Sequence, residues 1–349
     1  MDFYLEKELE NVRVIDIERK YWFLRTYGGE LYDKFLNEGF VGFGFNNVPY
    51  NYIKEADLKN SSAFKTLQTF IEKNTDYRLA EATKWANQLI AFEHIVSIDD
   101  IVIIPSKNSE YLAFGIVESD TYLSKEEGTF IHKDSFEQFP EKRKRVKWIK
   151  IINKHELQGD LRGLLASHAG LTSAVSYGEI IEGNLSSLFI KGERIYFTIK
   201  INQDEDINAF DLNRFLNSLT YFYKEFCVEN DVPENEELFI KIRVQSRGKM
   251  ALSALGVVGI IGIAGLLALS NNTELEMEIG GNKVKGRSDG FFKSYSDFLD
   301  RDQRRQIEFE KFQDSMKKLK ADTVADSITP EIDSLSKSNS SKNKSKNNT

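Results

Sequence analysis

The segment Lys142-Arg143-Lys144-Arg145-Val146-Lys147-Trp148-Ile149-Lys150 gathers six cations around one tryptophan. Lysine and arginine at this density neutralise phosphates at close range, and an indole face accepts a stacked base. The plain alternative is an ordinary strand whose charges discourage edge pairing, with Trp148 turned into the core. Asn87-Gln88 interrupts an apolar stretch with two carboxamides, a group that hydrogen-bonds adenine bidentately when it faces nucleic acid and otherwise solvates a helix surface. Gly28-Gly29 follows the aromatic stretch "YWFLR" but lacks both the GxGxxG spacing and the lysine of GxxxxGK[ST], so it reads as a turn.

Catalytic sets are harder to assemble. His94, His132, His155 and His168 show neither the i, i+4 pairing of a helical metal site nor a nucleophile in a recognisable motif, and the single Cys227 forms neither an internal disulfide nor a Cys-rich zinc site. No metal and no cofactor is expected. A metal-dependent nuclease needs clustered carboxylates, often with a lysine at a strand end. The candidates Glu18 to Lys20 and Asp57 to Lys59 lack a partner acid on a preceding strand.

These residues need elements to hold them. With 349 residues, of which 41% are apolar and 25 are Phe, the chain has material for two domains and a tail. A net charge of -7 excludes a surface that coats nucleic acid everywhere, while leaving room for one basic face. The start "MDFYLEKELE" has no basic n-region followed by an apolar h-region, so no cleavable signal is expected. "YWFL", "FVGFGF", "IDDIVIIP", "YLAFGIVESD" and "KRVKWIKII" predict about five short strands, with helices over "ELYDKFLNEG" and from Ala63 to Phe92. This first part, residues 1–180, reads as a small curved sheet or barrel.

A second α/β or α+β domain is expected over 187–290. "LFIKGERIYFTIKI" predicts a hairpin turning at Gly192, and "DINAFDLNRFLNSLTYFYKEF" a helix with one broad apolar face. "LFIKIRVQ" and "LEMEI" alternate as half-buried strands do. A long amphipathic helix follows over 291–321, suited to a protein partner or self-association. From Ser334 the Ser, Lys and Asn composition predicts a disordered tail, 334–349. The fold class is therefore α+β.

The segment from Tyr21 to about Tyr177 resembles the PUA-like (EVE-type) N-terminal domain of bacterial Mrr-like restriction proteins. The resemblance rests on four blocks in the family's order: "YWFLRTYGGELYDKF", "GFVGFGF", "IDDIVII" and "RVKW". Phe45 stands where the family carries Trp, and Asp99 where it carries Gly. PUA-like domains bind nucleic acid, and several EVE-type members accept a flipped, often modified, base. The resemblance implies that Arg25, Gly28, Gly29 and Phe45 lie near such a pocket, with Arg145 and Trp148 beside it. Together with the residue chemistry, it makes Arg25, Gly28, Gly29, Phe45, Asn87, Gln88, Lys142, Arg143, Lys144, Arg145 and Trp148 the nucleic-acid-binding candidates.

The uncharged run "ALSALGVVGIIGIAGLLALS", Ala251 to Ser270, has the length of a membrane span. Were the flanking "LFIKIRVQ" and "LEMEI" to share a sheet, it would instead be a buried crossover helix. Its glycines suit either setting. The expectation adopted is a single-pass helix holding the large N-terminal part at the cytoplasmic face of the cell membrane, with a cytoplasmic protein as the alternative. The expected function is a membrane-tethered nucleic-acid sensor of a bacterial defence or restriction-type system. A diverged modification-dependent endonuclease and a structural adaptor are the alternatives.

Overall fold

A computed structural model describes residues 12–56, 61–157, 161–203, 205–231, 237–243, 248–255, 257–271, 275–279, 282–286 and 289–323. The expected tail 334–349 and the Asp57 to Lys59 triplet lie outside the described residues. The chain is mixed α+β and forms two compact units, one spanning Arg19–Gly178 and the other combining residues 12–18 with 179–323. The first strand, β1 (Arg13–Ile15), belongs to the second unit, where it pairs in parallel with a strand beginning at Leu188.

In the first unit the strands are β2 (Tyr21–Leu24), β3 (Phe40–Phe43), β4 (Ile101–Pro105), β5 (Tyr111–Val117), β6 (Tyr122–Leu123), β7 (Thr129–His132), β8 (Ser135–Gln138), β9 (Lys142–Asn153) and β10 (Leu171–Ser173). The helices are α1 (Tyr32–Glu38), α2 (Tyr50–Glu55), α3 (Ser61–Asn74), α4 (Leu79–Ile90) and α5 (Arg162–Leu165). Gly39, at φ 66, closes α1 as a left-handed cap whose N–H reaches Phe35 O. The end of α4 widens into a π turn over Ala91–Ile95.

The main sheet runs β10-β2-β4-β5-β9-β3, with β6 also on β9. Strand β2 is buried along its whole length because it lies between β10 and β4, which is why "YWFL" carries no polar residue. Strand β9 changes partners along its length. Residues from Val146 onward pair with β5, while Lys142 to Arg145 pair with β3. The register slips opposite Phe114 and Gly115, where Val146 and the Trp148 ring fill the space a Cβ on Gly115 would need. A bulge at a glycine bends a strand, and here it curls the sheet into a half-barrel.

The second unit contains α6 (Gly178–Leu185), β11 (Leu188–Lys191), β12 (Arg194–Ile201), α7 (Ala209–Glu229), β13 (Leu238–Arg243), β14 (Gly248–Ala254), α8 (Val257–Asn271), β15 (Leu275–Ile279), β16 (Asn282–Gly286), α9 (Asp289–Asp300), α10 (Gln303–Leu319) and β17 (Ala321–Thr323). Two hairpins, each followed by a helix, meet through β12 and β14 to give the order β1-β11-β12-β14-β13. The Asn208 side chain caps α7 by accepting from the N–H groups of Phe210 and Asp211.

The expected membrane span is corrected here. Ala251 to Ala254 belong to β14, and the helical remainder, α8, has 15 residues. At ~1.5 Å per residue that is about 22 Å, short of the ~30 Å hydrocarbon layer. Among the described residues no helix is long and apolar enough to cross a membrane, so the single-pass location falls with it. Helix α8 lies inside a core instead: Ile260, Ile263, Ala264, Leu266 and Leu267 are at most 1% exposed. A Cβ on Gly259 would overlap the Tyr223 ring, one on Gly262 the Phe226 ring and one on Gly265 the Tyr295 ring. The glycines are seats for aromatic rings.

Strand "LFIKIR" pairs with β14, while "LEMEI" forms a separate hairpin with β16. The helix expected over 291–321 is two helices, α9 and α10, with Asp302 capping the second through Arg304 N–H at 2.8 Å. Phe298, Phe312, Met316 and Leu319 enter the core with α7, and Arg305 ties α10 to Glu225 on α7 at 2.7 Å.

Candidate functional site

Antiparallel partners share a face, so Lys142 and Lys144 lie with Phe43 and Val41, and Arg143 and Arg145 on the opposite side. Both faces are covered. Lys142, Arg143 and Lys144 are 2%, 4% and 1% exposed, and only Arg145 of the four reaches solvent. The stretch expected to neutralise phosphates is thus mostly interior, because β9 is flanked by β3 and β6 where it carries its densest charge.

Each buried cation has its own surroundings. Lys142 Nζ donates to the Phe45 carbonyl at 2.9 Å, and burial pulls its pKa down to about 8. Arg143 Nε donates to Pro140 O at 2.7 Å, and its Nη1 meets Glu126 at 2.6 Å. The guanidinium also lies 4.2 Å from the centre of the Phe40 ring. Glu126 additionally takes Lys34, and these bonds, Lys34 first and then Arg143, hold its carboxyl below the usual range. Lys144 has the Phe92 ring 5.7 Å from its Nζ, and burial lowers its pKa. Arg145 extends past Tyr122, 5.9 Å from the ring centre. Trp148 Nε1 donates to Phe35 O at 2.9 Å, so the indole is anchored toward the core.

The remaining candidates separate. Arg25 is spent on the backbone, donating to the carbonyls of Leu165 and Ser167. Gly28 and Gly29 have φ of 72° and 101°, and a Cβ on Gly29 would overlap the backbone of Lys107, so the pair is a turn required by close packing. Gln88 is buried, with its Oε1 accepting from Leu171 N–H at 2.9 Å, whereas Asn87 faces solvent. Phe45 and Lys142 are the two candidates brought into direct contact.

Phe45 leads to residues that sequence reasoning passed over. Its ring lies 4.6 Å from Trp85 and 6.0 Å from Tyr77, and Tyr77 and Trp85 are 6.1 Å apart. All three rings are partly exposed. Three elements supply them: Phe45 follows β3 at φ 65, Tyr77 precedes α4, and Trp85 stands on α4. Phe43 backs the group, 6.1 Å from Trp85 and stacked on Phe92 at 5.6 Å. Tyr27 lies against Gly44, where its hydroxyl occupies the place of a Cβ. Burial, then Glu137 and Tyr77, raise the Tyr27 pKa to about 12. An aromatic residue one turn before Gln88 was the available signal, though that spacing equally describes a core helix.

The histidines stay apart in role: His94 Nε2 contacts Ile53 O at 3.0 Å, His132 packs on Tyr27, and His155 and His168 are exposed. Among the described residues no three His, Cys, Asp or Glu cluster in a way that would hold a metal ion. A family described as a domain of unknown function (DUF8426) matches residues 24–163, inside the first unit. No curated protein and no solved structure matches the chain.

Proposed function

We propose that the Arg19–Gly178 unit is a nucleic-acid-binding module that receives a base against Phe45, Tyr77 and Trp85. The observation that carries this reading is the group itself: three partly exposed rings, mutually within 4.6 to 6.1 Å, supplied by separate elements. The rings pack against the first core yet keep part of their surface open, unlike the fully covered Phe35 and Phe114. Base stacking on such rings is worth roughly 1 to 3 kcal/mol per base and tolerates any sequence. The resemblance to base-accepting PUA-like domains supports the same reading.

Charge shapes the expected mode of binding. Residues 19–178 contain 21 basic and 21 acidic side chains. With Lys142, Arg143 and Lys144 inside, the densest basic run is withdrawn from the surface, and the exposed cations that remain, Arg78 and Lys84 among them, are scattered along the sequence. The module therefore favours single-stranded or flipped bases, and its affinity depends shallowly on salt. Titration of the full chain with short single-stranded DNA and RNA, followed by Trp fluorescence, tests this. Binding should weaken about fivefold to a hundredfold in Trp85→Ala, with the log-log salt slope unchanged. Absence of binding, or binding indifferent to both Trp85→Ala and Tyr77→Ala, would overturn the reading.

A further inference from the structure

Strands β1 and β11 to β14 of the second unit contain seven basic residues and no acidic one. One face of their sheet is core, where Ile195, Phe197, Ile199 and Ile201 on β12 and Met250 and Leu252 on β14 are fully buried. Alternation then puts Arg13, Lys191, Arg194, Lys200, Lys241 and Lys249 together on the other face. The register sets Lys200 opposite Lys249 and Lys249 opposite Arg243, so three basic residues stand in one row across three adjacent strands. Neighbouring strands are ~4.8 Å apart, and like charges directly opposed destabilise a sheet. Basic residues on an edge strand discourage unwanted pairing, which accounts for those on β13. It does not account for Lys200 and Lys249, because β12 and β14 are paired on both sides.

Helix α6 covers part of this face and answers its charges unevenly. Glu182 meets Arg13 at 3.4 Å and Glu179 meets Lys241 at 2.6 Å, while Asn184 gives Lys249 a neutral oxygen. Asp322 on β17, in register with Lys200, is the one acid in the row, and Glu193 and Glu237 flank β12 and β13 without standing in them. Gly183 of α6 sits over Thr198, which leaves the β13 side of the face open: the Lys241 side chain is 59% exposed and Phe239 is 39% exposed. The Arg194 guanidinium lies 4.7 Å from the centre of the Phe239 ring. We propose that this face holds the phosphodiester backbone of a single nucleic-acid strand, with Lys200, Lys249 and Lys241 on phosphates and Phe239 offering its ring to a base. Cations leading to a ring match a chain of phosphates and bases. An anionic membrane is met by elements that insert apolar side chains, whereas the exposed ring here lies against a guanidinium. These residues are distinct from Phe45, Tyr77 and Trp85, so the inference goes beyond the base-binding reading. The shallow salt dependence expected of Arg19–Gly178 is that unit's share, and the second unit adds a steeper one.

Anisotropy titration of labelled oligo-dT with the full chain, repeated across salt concentrations, tests this. Each phosphate contact adds about 0.7 to the log-log salt slope of single-strand binding, so Lys200→Gln combined with Lys249→Gln should lower the slope by about 1.4. Lys200→Arg with Lys249→Arg should keep it. So should Lys224→Gln with Lys317→Gln, which removes the same charge from α7 and α10. In the wild-type chain, oligo-dT should shield Lys200, Lys241 and Lys249 from acetylation by acetic anhydride and leave Lys224 reactive, a readout that needs no variant to fold. An unchanged slope in the folded Lys200→Gln, Lys249→Gln chain, or acetylation indifferent to oligo-dT, would overturn this inference, while Trp85-dependent binding would still support the base-binding reading. A lowered slope together with binding indifferent to Trp85→Ala and Tyr77→Ala supports the basic face and overturns the base-binding reading. Shielding by phosphatidylglycerol vesicles but not by oligo-dT would assign the face to membranes and overturn the inference. Absence of binding by the full chain overturns both.

Discussion

Two uninterrupted runs invite an outward reading, the basic run on β9 and the apolar run that ends in α8, and both are interior. They become interior by different means. Helix α8 is buried by shape: its glycines at 259, 262 and 265 admit Tyr223, Phe226 and Tyr295, and nothing polar needs answering. The start of β9 is buried by chemistry, one group at a time, with the Phe45 carbonyl for Lys142 and the Pro140 carbonyl and Glu126 for Arg143. Arg143 Nη2 still has no hydrogen-bond partner among the described residues, and Lys144 has the Phe92 ring 5.7 Å from its Nζ. Packing can seal an apolar element completely, whereas a buried charged strand keeps whatever its neighbours fail to supply.

The contrast can be broken most severely at α8. Ile260 is fully buried, so Ile260→Arg should place an unpaired charge in the second core and remove about 3 to 5 kcal/mol. Denaturant unfolding would show this as loss of the second unit's transition, and unchanged stability would mean that α8 is not the centre of that core. A smaller effect should separate Lys142 from its neighbours. Its pKa falls from the ordinary 10.5 to about 8 on folding, so between pH 8 and 10 the unfolded chain binds more protons and stability rises with pH. The gain is about 3 kcal/mol at most. Lys142→Met should reduce that rise, leaving the part that Lys144, also lowered by burial, adds with the same sign. Above pH 10 the slope reverses in sign for Tyr27, which holds its proton to about 12 when folded, so the comparison belongs below pH 10.

Glu126→Gln sharpens the contrast further, because it withdraws the counter-charge of Arg143 without changing volume. With Glu126 partly exposed, about 1 to 2 kcal/mol should be lost from the first unit, measured by its unfolding midpoint. Arg145→Ala should change stability by less than about 0.5 kcal/mol, since the side chain is exposed. A large loss there would show that the outward face of β9 is also built on its charges.

Much of the fold was legible wherever burial follows apolar content. "YWFL", "FVGF" and "IVIIP" are strands because covered strands tolerate few other residues. Burial of Lys142, Arg143 and Lys144 was not legible, because backbone carbonyls have no sequence signature and Glu126 comes from a loop well upstream. Hydropathy likewise hid the break near Leu255, where strand passes into helix without a change in polarity. Tyr223 and Phe226 on α7 repeat the three-residue spacing of Gly259 and Gly262, a knob-and-seat match between the two packed helices. The aromatic group at Phe45 was half legible. Tyr77 and Trp85 come to it through the packing of α4 on β3, which no local pattern encodes.

Strand β1 precedes Arg19 yet pairs with β11 beyond Glu179, so the first unit is an insertion within the second. During synthesis β1 emerges early and has no partner until the whole inserted body has followed it. The body can fold in that interval, and the sheet of the second unit can be completed only afterwards. Val14, still 70% exposed in the finished sheet, belongs to the strand that waits longest. A pause in translation after Gly178 would then leave a complete inserted module on a ribosome-bound chain whose second sheet still lacks every strand but β1.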